Sequence, residues 1–266
     1  MVRVVRVLSV VFLLALCLVP LPAPAAGPGN VPVLVYHRFG PRVADSMTVT
    51  DRVFASHLRW LHDNGYTVIP LQSLVAYLRG EGPAPPEKAV VISADDGHQS
   101  VYTDMRPLVE QYRIPVTLFI YPSAISNASY AMTWEELREL KRTGLFDLQS
   151  HTYWHPNFHR EKKKLTPEAY RKFVTTQLQR SKTVLEKRLG APVDLLAWPF
   201  GIYDAELEQA AAKAGYLAAF SIDRRNAATA EPLMAEPRYL MVDGDNMERF
   251  AAIVSGRAME KGHRTY

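Results

Sequence analysis

Short apolar runs alternate with longer stretches of helical period along this 266-residue chain. The runs at residues 33–36, 66–69, 90–94, 116–120, 145–150, 194–198, 217–221 and 238–242 end abruptly in polar residues. Each is too short for a helix and reads as a strand, most of them buried. Between them, residues 48–65 read as a helix entry and helix: Thr50 or Asp51 caps it, Phe54, Leu58 and Leu61 share a face, and Gly65 stops it. Further helices are predicted over 71–78, 101–112 and 133–144, the last opened by the capping box Thr133-Trp134-Glu135-Glu136. A long helix begins at Thr166-Pro167-Glu168 and closes at Gly190. Asp204 caps a helix closed by Gly215, and 247–254 forms the last. Strands and helices in near-strict alternation mean parallel strands with helical crossovers. No Gly-x-Gly-x-x-Gly or phosphate loop follows any strand. The expected fold is α/β, a distorted (β/α) barrel of about seven or eight strands, closed or nearly so, in a single domain over residues 32–266.

The first 25 residues stand apart. Arg3 and Arg6 precede an apolar segment over 7–19, followed by prolines and the small residues of Ala23-Pro24-Ala25. That order is a secretory signal, with cleavage before Ala26 and a lead-in over 26–31. The segment is short for a membrane span, so the mature chain is expected to be periplasmic or secreted, anchored only if the signal stays on. Cys17 is the only cysteine and lies in the leader, so no disulfide or thiol chemistry is expected. The net charge of +4 includes Arg3 and Arg6. That leaves too little to suggest a nucleic-acid partner. Residues 160–164 form one local basic run, read as a solvated loop or helix start.

Candidate chemistry collects at strand ends. Val90-Val91-Ile92-Ser93-Ala94 runs straight into Asp95-Asp96-Gly97, at the side of an α/β fold where ligands bind. Two neighbouring carboxylates there point in different directions, so one can hold a metal while the other moves a proton. A second cluster, His151-Thr152-Tyr153-Trp154-His155-Pro156, follows the strand at 145–150. Two histidines four apart on a helical turn can share one ion, and a carboxylate from another strand completes a facial set. A third strand ends in Trp198-Pro199-Phe200-Gly201. His57 and His62 fall on a helix expected at the surface.

These residues resemble the polysaccharide deacetylase family (carbohydrate esterase family four) over about residues 31–254. Ser93-Ala94-Asp95-Asp96-Gly97 is similar to its Thr-Phe-Asp-Asp-Gly motif. His151–Pro156 is similar to His-Ser/Thr-x-x-His-Pro, offset by one residue within the loop, and Trp198–Gly201 to Arg-x-Pro-Tyr-Gly. Val33–His37 and Glu236-Pro237-Arg238 resemble the branch that de-N-acetylates poly-β-1,6-N-acetylglucosamine. The resemblance implies that Asp96, His151 and His155 bind a divalent metal, zinc first and cobalt or nickel as alternatives. It implies Asp95 as general base and the backbone N–H of Phe200 as an oxyanion donor. Trp154, Trp198, Phe200 and Tyr203, with Pro199, are expected to line the sugar site. Two positions depart from the family. Its arginine beside the catalytic aspartate is Ala197 here, and the histidine of its C-terminal Leu-x-His motif is Val242. If the barrel closes, the first and last strands are neighbours, so His37 can supply the missing acid and Arg238 the missing arginine. The expected activity is removal of N-acetyl groups from an N-acetylglucosamine polymer, with a polysaccharide partner and an export or synthase assembly nearby. An O-acetyl glycan esterase of the same fold and a non-catalytic glycan-binding module are the alternatives.

Overall fold

In the computed structural model, which describes residues 30–257, parallel strands and helices alternate as predicted. The leader at 1–25 lies outside the described residues. In chain order, β1 (Val33–Tyr36), β2 (Arg38–Gly40) and β3 (Thr48–Thr50) precede α1 (Asp51–Asp63), β4 (Thr67–Val68) and α2 (Leu71–Leu78). Then come β5 (Ala89–Asp95), α3 (Arg106–Tyr112), β6 (Val116–Ile120), α4 (Trp134–Arg142) and β7 (Phe146–Ser150). The remainder is α5 (Phe158–Lys164), α6 (Pro167–Leu189), β8 (Leu195–Ala197), α7 (Ala205–Lys213), β9 (Ala218–Phe220), β10 (Tyr239–Leu240) and α8 (Met247–Val254).

The main sheet runs β10-β1-β5-β6-β7-β8-β9, all neighbours parallel, with β4 on β5. It curls into a half-barrel surrounded by helices. One parallel bridge, Phe220 to Glu236, joins the edge at β9 to the stretch that runs into β10. Ser221 N–H donates to the Glu236 carbonyl at 2.8 Å, and Met241 N–H to that of Val35 at 2.9 Å. Chain ends far apart in sequence therefore meet along one seam.

Side-chain alternation divides the core. On β5, Val90, Ile92 and Ala94 face the helix-covered core, while Ala89 and Val91 join Phe119, Leu195, Ala197 and Phe220 in a second cluster. A strand repeats every two residues, so Ser93 and Asp95 continue the second face. The register Ser93↔Thr117 brings another buried hydroxyl beside them. Polar side chains thus follow apolar ones towards the carboxyl ends.

Local signals act as expected at most helix ends. The Thr133 capping box forms in full, Thr166 caps α6, and Asp204 accepts from Leu207 N–H at 2.9 Å. The basic run at 160–164 lies in α5, the helix start of the two readings offered for it. The structure departs from the reading in three places. Residues 48–50 are a strand paired with β2, so α1 starts only at Asp51, capped by Thr50. Residues 101–105 form a π-helical turn before α3. His57 is buried, its ring stacked on Phe250 at 3.9 Å and its Nδ1 3.0 Å from the Tyr36 hydroxyl.

Candidate metal and catalytic site

The carboxyl ends of β5 and β7 bring the first two motifs together. The chain leaves β5 through two left-handed residues, Asp96 and Gly97, both at φ 75°. Asp tolerates this region better than most side chains. Gly97 is needed for its space as well, because a Cβ there would lie 3.1 and 3.2 Å from methyls of Ile125 and Ile120. The turn leaves Asp95 on the inner face and lifts Asp96 towards the mouth.

The histidines converge by a different route from the expected helical turn. Residues 151–155 are an irregular loop with Thr152 at φ 63° and His155 at φ 60°. Side chains brace it: Ser181 Oγ donates to the Thr152 carbonyl at 3.0 Å, and Gln177 Oε1 accepts from Trp154 N–H at 3.1 Å. Helix α6 therefore fixes the loop that carries both rings. Asp96 Oδ1 lies 3.7 Å from His151 Nε2 and 3.7 Å from His155 Nε2. One ligand atom from each of the three residues falls within 4.8 Å of the others.

These donors fit a divalent cation. The separations are too long for hydrogen bonds, while two donors about 2.1 Å from a tetrahedral ion lie roughly 3.4 Å apart. His151 Nδ1 is 2.8 Å from the Ala197 carbonyl, which can only accept, so the proton sits on Nδ1 and Nε2 presents its lone pair. Burial lowers the pKa of His151, and burial followed by the His151 charge lowers that of His155 to about 4. Both rings are neutral near pH 7. Two lone pairs and a carboxylate with no proton between them repel one another unless a cation lies between them.

Asp95 has a different environment. It is 2 % exposed. Arg238 Nη1 and Nη2 each donate to one of its oxygens at 2.8 Å, while Arg238 Nε donates to the Ser221 carbonyl at 3.0 Å. Burial pushes the Asp95 carboxyl up, but Arg238 and then His151 outweigh it and hold it at about 2. His37 follows β1 at the adjoining strand end, and its charge bears on both Asp95 and His155. Its Nδ1 is buried without a hydrogen-bond partner among the described residues. The structure thus gathers Asp95, Asp96, His37, His151, His155 and Arg238 at one mouth.

The aromatic candidates separate. Phe200 is 50 % exposed, with its ring edge-on to His155 at 4.6 Å. Its φ of 57° precedes Gly201 at φ 66°, where a Cβ would stand 2.4 Å from Ile222 Cγ1. Trp154 is 49 % exposed at the rim. Tyr203 is partly buried and donates its hydroxyl to Asp223 at 2.7 Å. Trp198 and Pro199 are buried, and the Trp198 indole N–H donates to the Met234 carbonyl at 2.8 Å. Trp198 faces the helix-covered core with Leu196, so it offers no ring face to a sugar and is removed from the stacking set.

Sequence reasoning missed one wall. A cavity of about 380 Å³ beside His155 is lined by Tyr121, Ser123, Tyr130 and Trp154 among others. Tyr121 and Tyr130 join through their hydroxyls, and His98 stacks on Tyr130. Tyr121 directly follows β6, so the strand-end rule that singled out Asp96 and His151 applied to it too.

A curled parallel sheet thus carries at its mouth three donors that could hold a cation beside a clamped carboxylate, an arrangement suited to metal-assisted hydrolysis. Residues 82–219 match the model of the polysaccharide deacetylase family, just over half of the chain, and the chain belongs to that family. It is 27% identical over 228 residues to YxkH of Bacillus subtilis (strain 168), whose name places it among the polysaccharide deacetylases; the match covers 85% of this chain and 77% of that one. It is 24% identical over 182 residues to the poly-β-1,6-N-acetyl-D-glucosamine N-deacetylase of Staphylococcus aureus (strain MRSA252), covering 67% of this chain and 62% of that enzyme. The solved Streptococcus pyogenes deacetylase PplD, in complex with acetate, shares the fold with a TM-score of 0.74 at 23% identity, over 85% of this chain and 99% of that one. The family's members are hydrolases of amide bonds in acetylated polysaccharides, and they depend on a metal in general.

Proposed function

We propose that this chain removes N-acetyl groups from an N-acetylglucosamine polymer, with the β-1,6-linked polymer favoured. One observation carries the reading: three lone-pair donors converge beside a buried carboxylate that is clamped by arginine. The staphylococcal relative's name supports the choice of substrate. Asp96, His151 and His155 would hold the metal, zinc by the chemistry of two imidazoles and one carboxylate. When bound, such a cation acidifies a water and polarises the acetamide carbonyl.

The protein's own groups do the rest. Asp95 takes the proton of the attacking water. A carboxylate held near 2 is a weak base by itself, so its use requires a water already made acidic. Arg238 positions Asp95 and keeps it ionised. The Phe200 N–H donates to the oxyanion. His37 delivers the proton to the departing amine, without which the amine is a poor leaving group. Trp154 and Phe200 flank the sugar. The leader motif supports action outside the cytoplasm, periplasmic or secreted, near export or synthase machinery. Among the described residues no helix is long and apolar enough to cross a membrane.

The test is amine release from β-1,6-N-acetylglucosamine oligomers by the purified chain with zinc, with and without chelator. Chelator-sensitive release supports the reading. Acetate release from O-acetylated glycans with no amine from the oligomers would replace it with the esterase reading.

A further inference from the structure

Charge is distributed unevenly over this molecule. Residues 158–189, which form α5 and α6, hold ten of the chain's 31 Lys and Arg and only three of its 27 Asp and Glu. This hairpin therefore carries +7, against +4 for the whole chain, and the other residues sum to −3. Lys162, Lys164 and Lys182 have acidic partners. Arg160, Lys163, Arg171, Lys172 and Lys187 are exposed and make no ion pair among the described residues. Helix α6 has 23 residues, so its cations spread along roughly 35 Å. The strip begins at the mouth. The Arg180 guanidinium lies 4.0 Å over the Tyr153 ring, and Phe173 packs edge-on to Trp154 at the rim.

We propose that the α5–α6 face docks on an anionic lipid bilayer. The cations sit on long, flexible chains over a convex helical surface, which suits a broad and laterally mobile sheet of phosphate charge. The oppositely charged remainder of the molecule is repelled by the same surface. The charge distribution therefore selects one orientation, with the rim at Tyr153 and Trp154 on the bilayer side. The expected leader brings the chain to a membrane during export. Once that leader is removed, an electrostatic strip holds the enzyme there reversibly. The inference goes beyond the deacetylase reading and does not depend on it.

The test is co-sedimentation of the full chain with vesicles of phosphatidylcholine alone and of phosphatidylcholine with one-third phosphatidylglycerol, at low and high salt. A variant carrying Lys163→Gln, Arg171→Gln, Lys172→Gln and Lys187→Gln removes four charges and no contact within the fold. Wild type is expected to bind the phosphatidylglycerol vesicles about tenfold or more tighter, and the variant to lose most of that preference. High salt should erase it in both. Equal preference in wild type and variant would overturn the proposal. So would no preference in wild type, or binding to soluble polyphosphate without binding to vesicles. A circular-dichroism melt unchanged from wild type shows that the variant is folded.

Discussion

The mouth of this half-barrel is assembled from two regions built in opposite ways. Asp96, His151 and His155 sit just past the ends of β5 and β7, each within a few residues of the strand that positions it, and meet as lone pairs lacking a proton. Arg238 and His37 sit where β1 and β10 adjoin and face Asp95 at the end of the next strand, β5, where arginine and carboxylate form an ion pair with a nearby imidazole. The first region is incomplete without a cation. The second is complete in itself. On the proposed roles, metal binding and acid–base chemistry are housed separately, and substitutions should divide along the same line.

The largest expected effect breaks the first region. His151→Ala removes one donor of three and leaves Asp96 facing a single imidazole. Loss of a mere supporting contact to a ligand weakens metal affinity by about 10- to 100-fold. Loss of the ligand itself should exceed that range in a chelator competition for zinc. Breaking the seam should do the reverse. Arg238→Met leaves a buried, unpaired carboxylate and should cost about 3–5 kcal/mol in chemical denaturation at pH 7. Its zinc affinity should fall less than tenfold.

A subtler effect sharpens the description of the seam. Glu236, fully buried beside the barrel bridge, has its carboxyl pushed up to about 8, by burial first and then by Glu231, against one backbone N–H from Ala228. A carboxyl raised from 4.5 to about 8 holds its proton only in the folded state. Its contribution is complete below pH 4.5 and is lost as pH rises towards 8. Glu236→Gln should flatten that decline, on the order of 4 kcal/mol, in unfolding free energies measured by chemical denaturation at pH 5 and pH 8.5. The smallest effect lies at the rim. Trp154→Ala should raise the oligomer KM about three- to tenfold with little change in kcat, the value of a lost aromatic contact. Trp198→Phe should lower stability and leave KM alone.

The same division explains what could be read from sequence. Asp95-Asp96-Gly97 and His151–His155 were legible because strand ends and ligands are adjacent in the chain. The helical-turn account of the histidines failed because two left-handed residues, Thr152 and His155, shape that loop, and neither is a glycine that would mark the turn in the sequence. The seam was legible only through barrel closure, which placed Arg238 and His37 beside Asp95 although they are far apart in sequence. Trp198 was misplaced because a strand's two faces differ by one residue, and the sequence near Ala197 does not say which face looks inward. His57 was assigned to a surface because its helix reads as amphipathic, whereas its ring packs under Phe250. Tyr121 and Tyr130 went unnoticed because a tyrosine after a strand is ordinary until a neighbouring wall appears.

The central claim is that metal binding and proton transfer belong to separate regions of one deacetylase site. It is tested most directly by measuring zinc affinity and amine release together for wild type and Asp95→Asn. The substitution keeps the shape of the side chain and removes the proposed base. The account predicts zinc affinity within about threefold of wild type, because Asp95 is not among the three donors, and amine release below about 1% of wild type, a loss in line with general-base catalysis. Release near the wild-type rate would contradict the role of Asp95, and zinc affinity lost in step with release would contradict the separation.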